Sequence, residues 1–582
     1  MGSEQSFACN ECLERLLKLK APSRLQARDA SLFDASPEAA EYAAGFLGWV
    51  DLSSRPPFSV TELAEIASGI RLEGLDAVVL LGQGGSSQAA MTITKLHEVH
   101  TDRTDVNFYT IDSLSPEFVT NILKKCDPAR TLYIVSSKSG STIEPLMLER
   151  VVWSYVVGHL GIEGAAKRFV AITDPESSLE QLAHEKNYRL VLPGPSGVGG
   201  RFSALSVFGL FPAALVGIDI EQAVASAAAV EARCAADTRE NPALSLASFL
   251  YRGLMDKRDK VSLVMPPSGL VFGLWIEQLV AESLGKQGKG IVPNIEIDPS
   301  TLREPRADRC VITYEVGHTE GFSESLTCIN ECMSIRHFTL QSIEELLGHF
   351  VIWEYAIAFL GILMKLNPFD QPDVDATKLR VSELLREDSG MSSQPDHYSQ
   401  VYYEGYYVPI LRMSAALINE GDLLSQDESV GHELIDSALR TLLGSFREGD
   451  YFSLNAFLPF LGQRRNDLET MRHRVASSLG MASCLEIGPR YLHSTGQLHK
   501  GGSNTGVFLF ISADEDITKD TSIPHERYTL GTLAATQARA DFEELSVRGR
   551  RAMQIHLCNS DHETLKRFAD RFCSAVSSVK VI

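Results

Sequence analysis

The 582-residue sequence has no apolar run approaching the roughly 20 residues that a membrane span requires, so no spanning segment is expected. Basic charge is in short supply. Lys and Arg number 54 against 75 Asp and Glu, a net charge of −21, which argues against nucleic acid as a partner. A small anionic ligand stays compatible, because one local basic pocket can oppose the global field. Ten cysteines are too sparse for a disulfide scaffold, and reduced cytosolic thiols are expected. Cys9 and Cys12 form a Cys-x-x-Cys with no second pair at zinc-ribbon spacing. Residues 1–20 mix Glu, Lys and Cys and lack the apolar stretch of a secretory signal. Carboxylates and histidines do not cluster at metal-ligating spacing, so no metal or other cofactor is expected.

What is present is an ordinary globular composition, 44% apolar and 22% charged, in a chain long enough for several domains. Residues 1–45 read as polar and helical. From Ala77, apolar strands alternate with helices: Ala77–Leu81, Asn107–Ile111, Thr131–Ser136 and Phe169–Thr173 are strands, and 142–157 and 177–185 are helical. Continuous apolar strands separated by helices of this length predict a buried parallel sheet, a doubly wound α/β domain. A helix-rich stretch over 203–258 leads to a second α/β unit with strands at Val261–Met265 and Val311–Glu315. A long, apolar helix over 343–363 should be buried. A polar loop is expected over 385–400, helices through about 480, and strands at Gly506–Ser512 and Gln554–Leu557 near the end.

Four segments carry chemistry. Ser136-Ser-Lys-Ser-Gly-Ser-Thr-Ile-Glu-Pro145 stands where a parallel strand gives way to a helix, and free N–H groups with the helix dipole favour an anion there. Hydroxyls at Ser137, Ser139, Ser141 and Thr142 add donors for phosphate oxygens, although a Ser-rich helix cap would read the same way. Gly82-Gln-Gly-Gly-Ser-Ser87 leaves the first strand at the same sheet edge, where open α/β sheets gather ligands. Gly197-Val-Gly-Gly-Arg-Phe-Ser203 delivers Arg201, whose planar fork suits an oxyanion; a solvated surface Arg is the alternative. Glu282 closes an apolar helix ahead of a Gly/Lys-rich loop, placed for general base work or merely exposed at a helix end.

In this order the four motifs resemble the phosphoglucose isomerase family, built from two sugar-isomerase (SIS) domains. Asn367-Pro-Phe-Asp-Gln-Pro-Asp-Val-Asp-Ala-Thr-Lys378 is similar to the family's Phe-Asp-Gln segment, and Arg490-Tyr-Leu-His-Ser-Thr-Gly-Gln497 to its His-Ser-Met-Gly-Gln segment. Glu486–Gly506 looks like the signature of the isomerase half of fused transaldolase/isomerase proteins. Too few residues precede the first strand for a transaldolase barrel, so isomerase activity alone is expected.

The resemblance implies two SIS-type doubly wound parallel-sheet domains with helical extensions. The expected division is a helical extension over 1–45, a first SIS domain over 46–235 and the first part of a second over 236–390. A helical insertion over 391–480 and a C-terminal part over 481–582 completing the second domain follow. It also implies Glu282 as the base moving a proton between C2 and C1 through a cis-enediol, and Arg201 stabilising the enediolate. Lys378 and His493 would assist ring opening, with His499 as rival to His493. Ser137, Lys138, Ser139, Ser141 and Thr142 would hold the phosphate, while Gly85, Ser86 and Gln371 line the sugar. The residue types suit aldose–ketose chemistry, which needs a base able to return its proton and a cation by the oxyanion. Two departures stand out: Asp373 replaces the segment's usual Gly, and Asp375 its usual Glu. The implied protein is a cytoplasmic homodimer acting on a sugar phosphate, with neither nucleic acid nor membrane as partner. The alternatives are a non-catalytic SIS-type sensor regulating a partner, or an isomerase of mixed glucose and mannose specificity.

Overall fold

The structure is a computed structural model that describes residues 11–33, 37–101, 105–317, 319, 321–387, 398–402, 410–417, 431–514 and 520–579. Cys9 and most of the 385–400 loop fall outside them. The chain forms two compact units. One is Met1–Asp112, Ile122–Leu284 and Gly290–Gln371; the other is Ser113–Asn121, Gly285–Lys289 and Pro372–Ile582.

The first unit holds two parallel sheets. The first contains β1 (Ala77–Gly82), β2 (Asn107–Ile111), β3 (Thr131–Ser136), β4 (Phe169–Thr173) and β5 (Leu190–Pro193), in the order β2-β1-β3-β4-β5. Every residue of β1, β3 and β4 is buried, which is why these strands read as unbroken apolar runs without alternation. Helix α1 (Gln88–His100) follows β1 and helix α2 (Ile143–Ala166) follows β3. The second sheet contains β6 (Lys260–Val264), β7 (Val292–Glu296), β8 (Arg309–Val316) and β9 (Ile335–Leu340), in the order β7-β6-β8-β9, with helix α3 (Leu270–Leu284) joining β6 to β7. Both sheets place their first strand between their second and third, so each has a topological switch point beside that strand.

Helix α4 (Ile343–Met364) has a mean hydropathy of 1.8 over its best 18 residues, apolar and long enough to cross a membrane. The expectation that no run comes near that length therefore needs correcting. Here 89% of that window is buried in the unit's core, and Ser342 caps the helix by accepting a hydrogen bond from the Glu345 amide at 3.2 Å.

The second unit has helix α5 (Asp375–Glu387) and one six-stranded sheet. Its strands are β10 (Tyr398–Tyr402), β11 (Ile410–Ser414), β12 (Tyr451–Phe457), β13 (Ala482–Ile487), β14 (Gly506–Ala513) and β15 (Arg551–Leu557), ordered β10-β11-β15-β14-β12-β13. Pairing is antiparallel for β10–β11 and β11–β15 and parallel elsewhere. Helices α6 (Gly462–Leu479), α7 (Gly496–Gly501) and α8 (Leu530–Val547) connect the parallel strands.

Two sequence expectations change here. The stretch read as helical to about 480 contains three strands. Of these β12, Tyr-Phe-Ser-Leu-Asn-Ala-Phe, is buried at every position, the polar Ser453 and Asn455 included. The strands read near the C-terminus do not complete the second sheet. They join a third sheet, β14 pairing with β12 and β15 with β14, and its parallel strands repeat the central-first order.

On β13, Glu486 is 2% exposed, and burial pushes its carboxyl from 4.5 up to about 7. The folded state therefore holds this proton where the unfolded chain has lost it. That contribution to stability is complete below about pH 4.5 and is lost as pH rises through about 7. Glu486→Gln should then gain in melting temperature over wild type as pH climbs through that window. A constant difference between the two melting curves from acid to alkaline pH would contradict it.

Candidate active site

The first sheet's switch point lies between β1 and β3, and both glycine- and serine-rich loops leave there. The Ser136 hydroxyl donates to the Ser86 carbonyl at 2.7 Å, tying one loop to the other. Gly85 is required by close approach. A Cβ at this position would stand 2.1 Å from the Gly200 carbonyl carbon and 2.6 Å from the Arg201 nitrogen.

In the serine loop, Ser137 is buried and its amide donates to the Ile172 carbonyl at 3.1 Å, while its hydroxyl has no partner among the described residues. Gly140 takes a φ of +65°, turning the chain so that the Ser139 and Ser141 hydroxyls lie 3.0 Å apart. Thr142 occupies the cap of α2, yet its side chain makes no capping bond to the first turn, the end of a helix at which an anion is favoured. The Lys138 ammonium is paired with Asp174, a partner to which nothing in the local motif points.

Arg201 rides on a single turn, Gly200–Phe202, backed by Phe202 against Trp49 and Phe369 at ring separations of 5.0 and 5.3 Å. Its guanidinium is buried and all five N–H groups are used. Nε donates to the Ser283 hydroxyl (2.9 Å), and Nη1 donates to Glu282 Oε1 (3.0 Å) and Gln371 Oε1 (2.9 Å). Nη2 donates to the carbonyls of Pro368 (2.7 Å) and Asp370 (3.0 Å). Glu282, in the last turn of α3, is 7% exposed; its second oxygen accepts from Gln278 Nε2 at 3.1 Å. The bland readings of these two residues, a solvated Arg and an exposed helix-end Glu, do not hold.

Arg201, Glu282 and Gln371 are thus assembled in the first unit, with Gly85 packed on the backbone at Arg201. Lys378, exposed on α5, and His493, half-buried on the turn Arg490–His493, belong to the second unit. His499 is 2% exposed in the same unit, ringed by Tyr451, Tyr491 and Phe508 at 5.0–6.2 Å. Burial holds its imidazole well below the usual range for histidine. Sequence reasoning passed over Gln278 and Ser283, although Gln278 stands one helical turn before Glu282. Among the described residues no group of three His, Cys, Asp or Glu is placed to hold a metal ion.

The profile of the family described as Phosphoglucose isomerase matches residues 64–299. The glucose-6-phosphate isomerase of Symbiobacterium thermophilum is 31% identical over 395 residues, spanning 59% of this chain and 87% of its own. That of Acetivibrio thermocellus is 30% identical over 396 residues, spanning 58% and 87%. Among solved structures, a hypothetical protein of Thermus thermophilus superposes with a TM-score of 0.53 at 24% identity, covering 65% of this chain and 97% of its own. The glucose-6-phosphate isomerase of Chlamydia trachomatis gives 0.50 at 19%, covering 63% and 79%. At these identities the two structures speak for the fold alone. With relatives matched over most of their length, and the matched profile covering the glycine and serine loops, Arg201 and Glu282, the chain belongs to the phosphoglucose isomerase family.

Proposed function

We propose that this protein is a glucose-6-phosphate isomerase, interconverting glucose 6-phosphate and fructose 6-phosphate through a cis-enediol. The observation that carries the reading is the buried Glu282 carboxylate, held by Arg201 in the unit that also presents the serine loop. A carboxylate fixed by two donors cannot wander, and a base of this kind takes the proton from C2 and returns it to C1. As that proton leaves, the carbonyl oxygen gains charge. Arg201 supplies a fixed positive charge at a buried position, where such a charge counts for most. Because its five donors are already engaged, Arg201 acts through its field and by orienting Glu282 and Gln371.

Ser137, Ser139, Ser141 and Thr142 hold the phosphate on the amino end of α2, while Gly85 and Ser86 line the sugar beside Gln371. Lys138 contributes through its charge, shared with Asp174. For ring opening Lys378 and His493 are the proton carriers. His493 is preferred over His499 because a proton shuttle must exchange with its surroundings, and His499 is enclosed by aromatic rings. A cytoplasmic homodimer goes with this reading.

The test is isomerisation of fructose 6-phosphate by the purified protein in EDTA. Turnover that survives chelation supports the reading, and binding without conversion overturns it. Loss of the Thr142 hydroxyl in Thr142→Val should raise KM for fructose 6-phosphate about tenfold with kcat nearly unchanged, the scale of one hydrogen bond to a charged group. An unchanged KM would remove Thr142 from the phosphate site.

A further inference from the structure

Two bridges join the same two stretches of chain. In the first unit, Arg201 links Glu282 to Gln371. In the second, the buried side chain of Gln497 on α7 links Gly285 to Asp373, three residues beyond Glu282 and two beyond Gln371. Gln497 Oε1 accepts from the Asp373 amide at 3.0 Å. Its Nε2 donates to the Asp373 carboxylate at 2.6 Å and to the Gly285 carbonyl at 3.0 Å. Arg548 Nη1 donates to the other Asp373 oxygen. The fit leaves no slack: a Cβ at Gly501 would stand 2.2 Å from Asp373 Oδ2, 2.7 Å from Gln497 Nε2 and 2.8 Å from the Gly285 carbonyl. The loop 285–289 is pinned twice more, by the Gly288 amide donating to the Gly501 carbonyl and by the Ser503 hydroxyl donating to the Gly288 carbonyl, both at 2.8 Å.

We propose that Gln497 and Asp373 are positioning residues for the isomerase reaction, fixing the chain exits of Glu282 and Gln371 at one separation so that Arg201 meets both. The proposal rests on the isomerase reading with Glu282 as base. A tether of two or three residues carries a shift at one end towards the other, and misplacing a reacting group by about 1 Å is enough to slow chemistry about 10²-fold. Asp373 stands where the family's segment usually has glycine. Its backbone is not among those of positive φ, so nothing in the chain path there demands glycine, and its side chain can serve the bridge.

The experiment measures kcat and KM for fructose 6-phosphate, with melting temperature, in four variants of the full chain. Gln497→Met keeps the length and loses every bond; kcat should fall roughly 30-fold with KM within about threefold of wild type. Gln497→Glu should fall as far, since two carboxylates then face each other. Adding Asp373→Asn to it returns a donor between positions 373 and 497, and kcat should recover about tenfold. Ser503→Ala, which touches the loop and not the bridge, should stay within about twofold. If Gln497→Met does not fold, the Gln497→Glu pair carries the test. Wild-type kcat in Gln497→Met with only a lower melting temperature would overturn the positioning role, as would a double variant no faster than Gln497→Glu. A wild-type protein that never turns over fructose 6-phosphate would overturn the isomerase reading and this proposal with it.

Discussion

Glu282→Gln should lower kcat for fructose 6-phosphate by about 10³–10⁴, with KM changed only a few-fold. The variant keeps the shape of the side chain and an oxygen for Arg201 Nη1, which bonds Glu282 Oε1 at 3.0 Å in the wild type. What it loses is the lone pair basic enough to take a proton from carbon. Arg201 stays in place because Gln371, Ser283 and the carbonyls of Pro368 and Asp370 continue to hold it. Substrate binding, assigned to the serine loop, should therefore survive. Solvent exchange at carbon sharpens the test. Wild-type protein in heavy water should place deuterium at C1 or C2 of the recovered sugar phosphate, and Glu282→Gln should place almost none. A variant within tenfold of wild type would remove Glu282 from the role of base, whatever else it does.

The parts of the fold that the sequence displayed are those whose burial is extreme. Strands β1, β3 and β4 are buried throughout, and their apolar runs stand out against the helices between them. Strand β7, Val-Pro-Asn-Ile-Glu, is equally part of a parallel sheet but contains Pro293, Asn294 and Glu296, residues that ordinarily argue against a strand. Asn294 is satisfied inside the sheet, taking the Ser262 hydroxyl at 3.0 Å and donating to Glu296 at 3.0 Å. Such pairing between elements leaves no trace in local pattern. The third sheet was obscured for a related reason. Its first two parallel strands, β12 and β13, frame the 18-residue helix α6, and only the later strands carried a strong apolar signal.

The candidate site divides along the same line. Gly85, Arg201 and Glu282 were legible because glycine spacing, a lone Arg in a glycine turn and a Glu at the end of an apolar helix are local patterns. The acceptors that immobilise Arg201 were not, because two of them are main-chain carbonyls and any residue would supply those. Lys138 shows the converse. Its motif marked it for phosphate, and only the folded chain reveals Asp174 as the group that claims its ammonium.

Replacing Arg201 should cost both stability and rate, and the two losses should come apart in a double variant. In Arg201→Met the buried Glu282 carboxylate loses its cation, while Gln371, Ser283 and two carbonyls lose their donors. Stripping one partner from a buried ion pair costs about 3–5 kcal/mol, most of it from the stranded charge. Glu282→Gln in the same background removes that charge, so the double variant should regain about half of the lost stability. Its activity should regain nothing. Arg201→Met alone should already turn over about 10²–10³ more slowly, the scale of one preorganised electrostatic contact. Urea unfolding of wild type, both single variants and the double variant gives the coupling directly. Additive losses would mean that Arg201 and Glu282 do not share their charge in solution, and the ion pair would then have no part in placing the base.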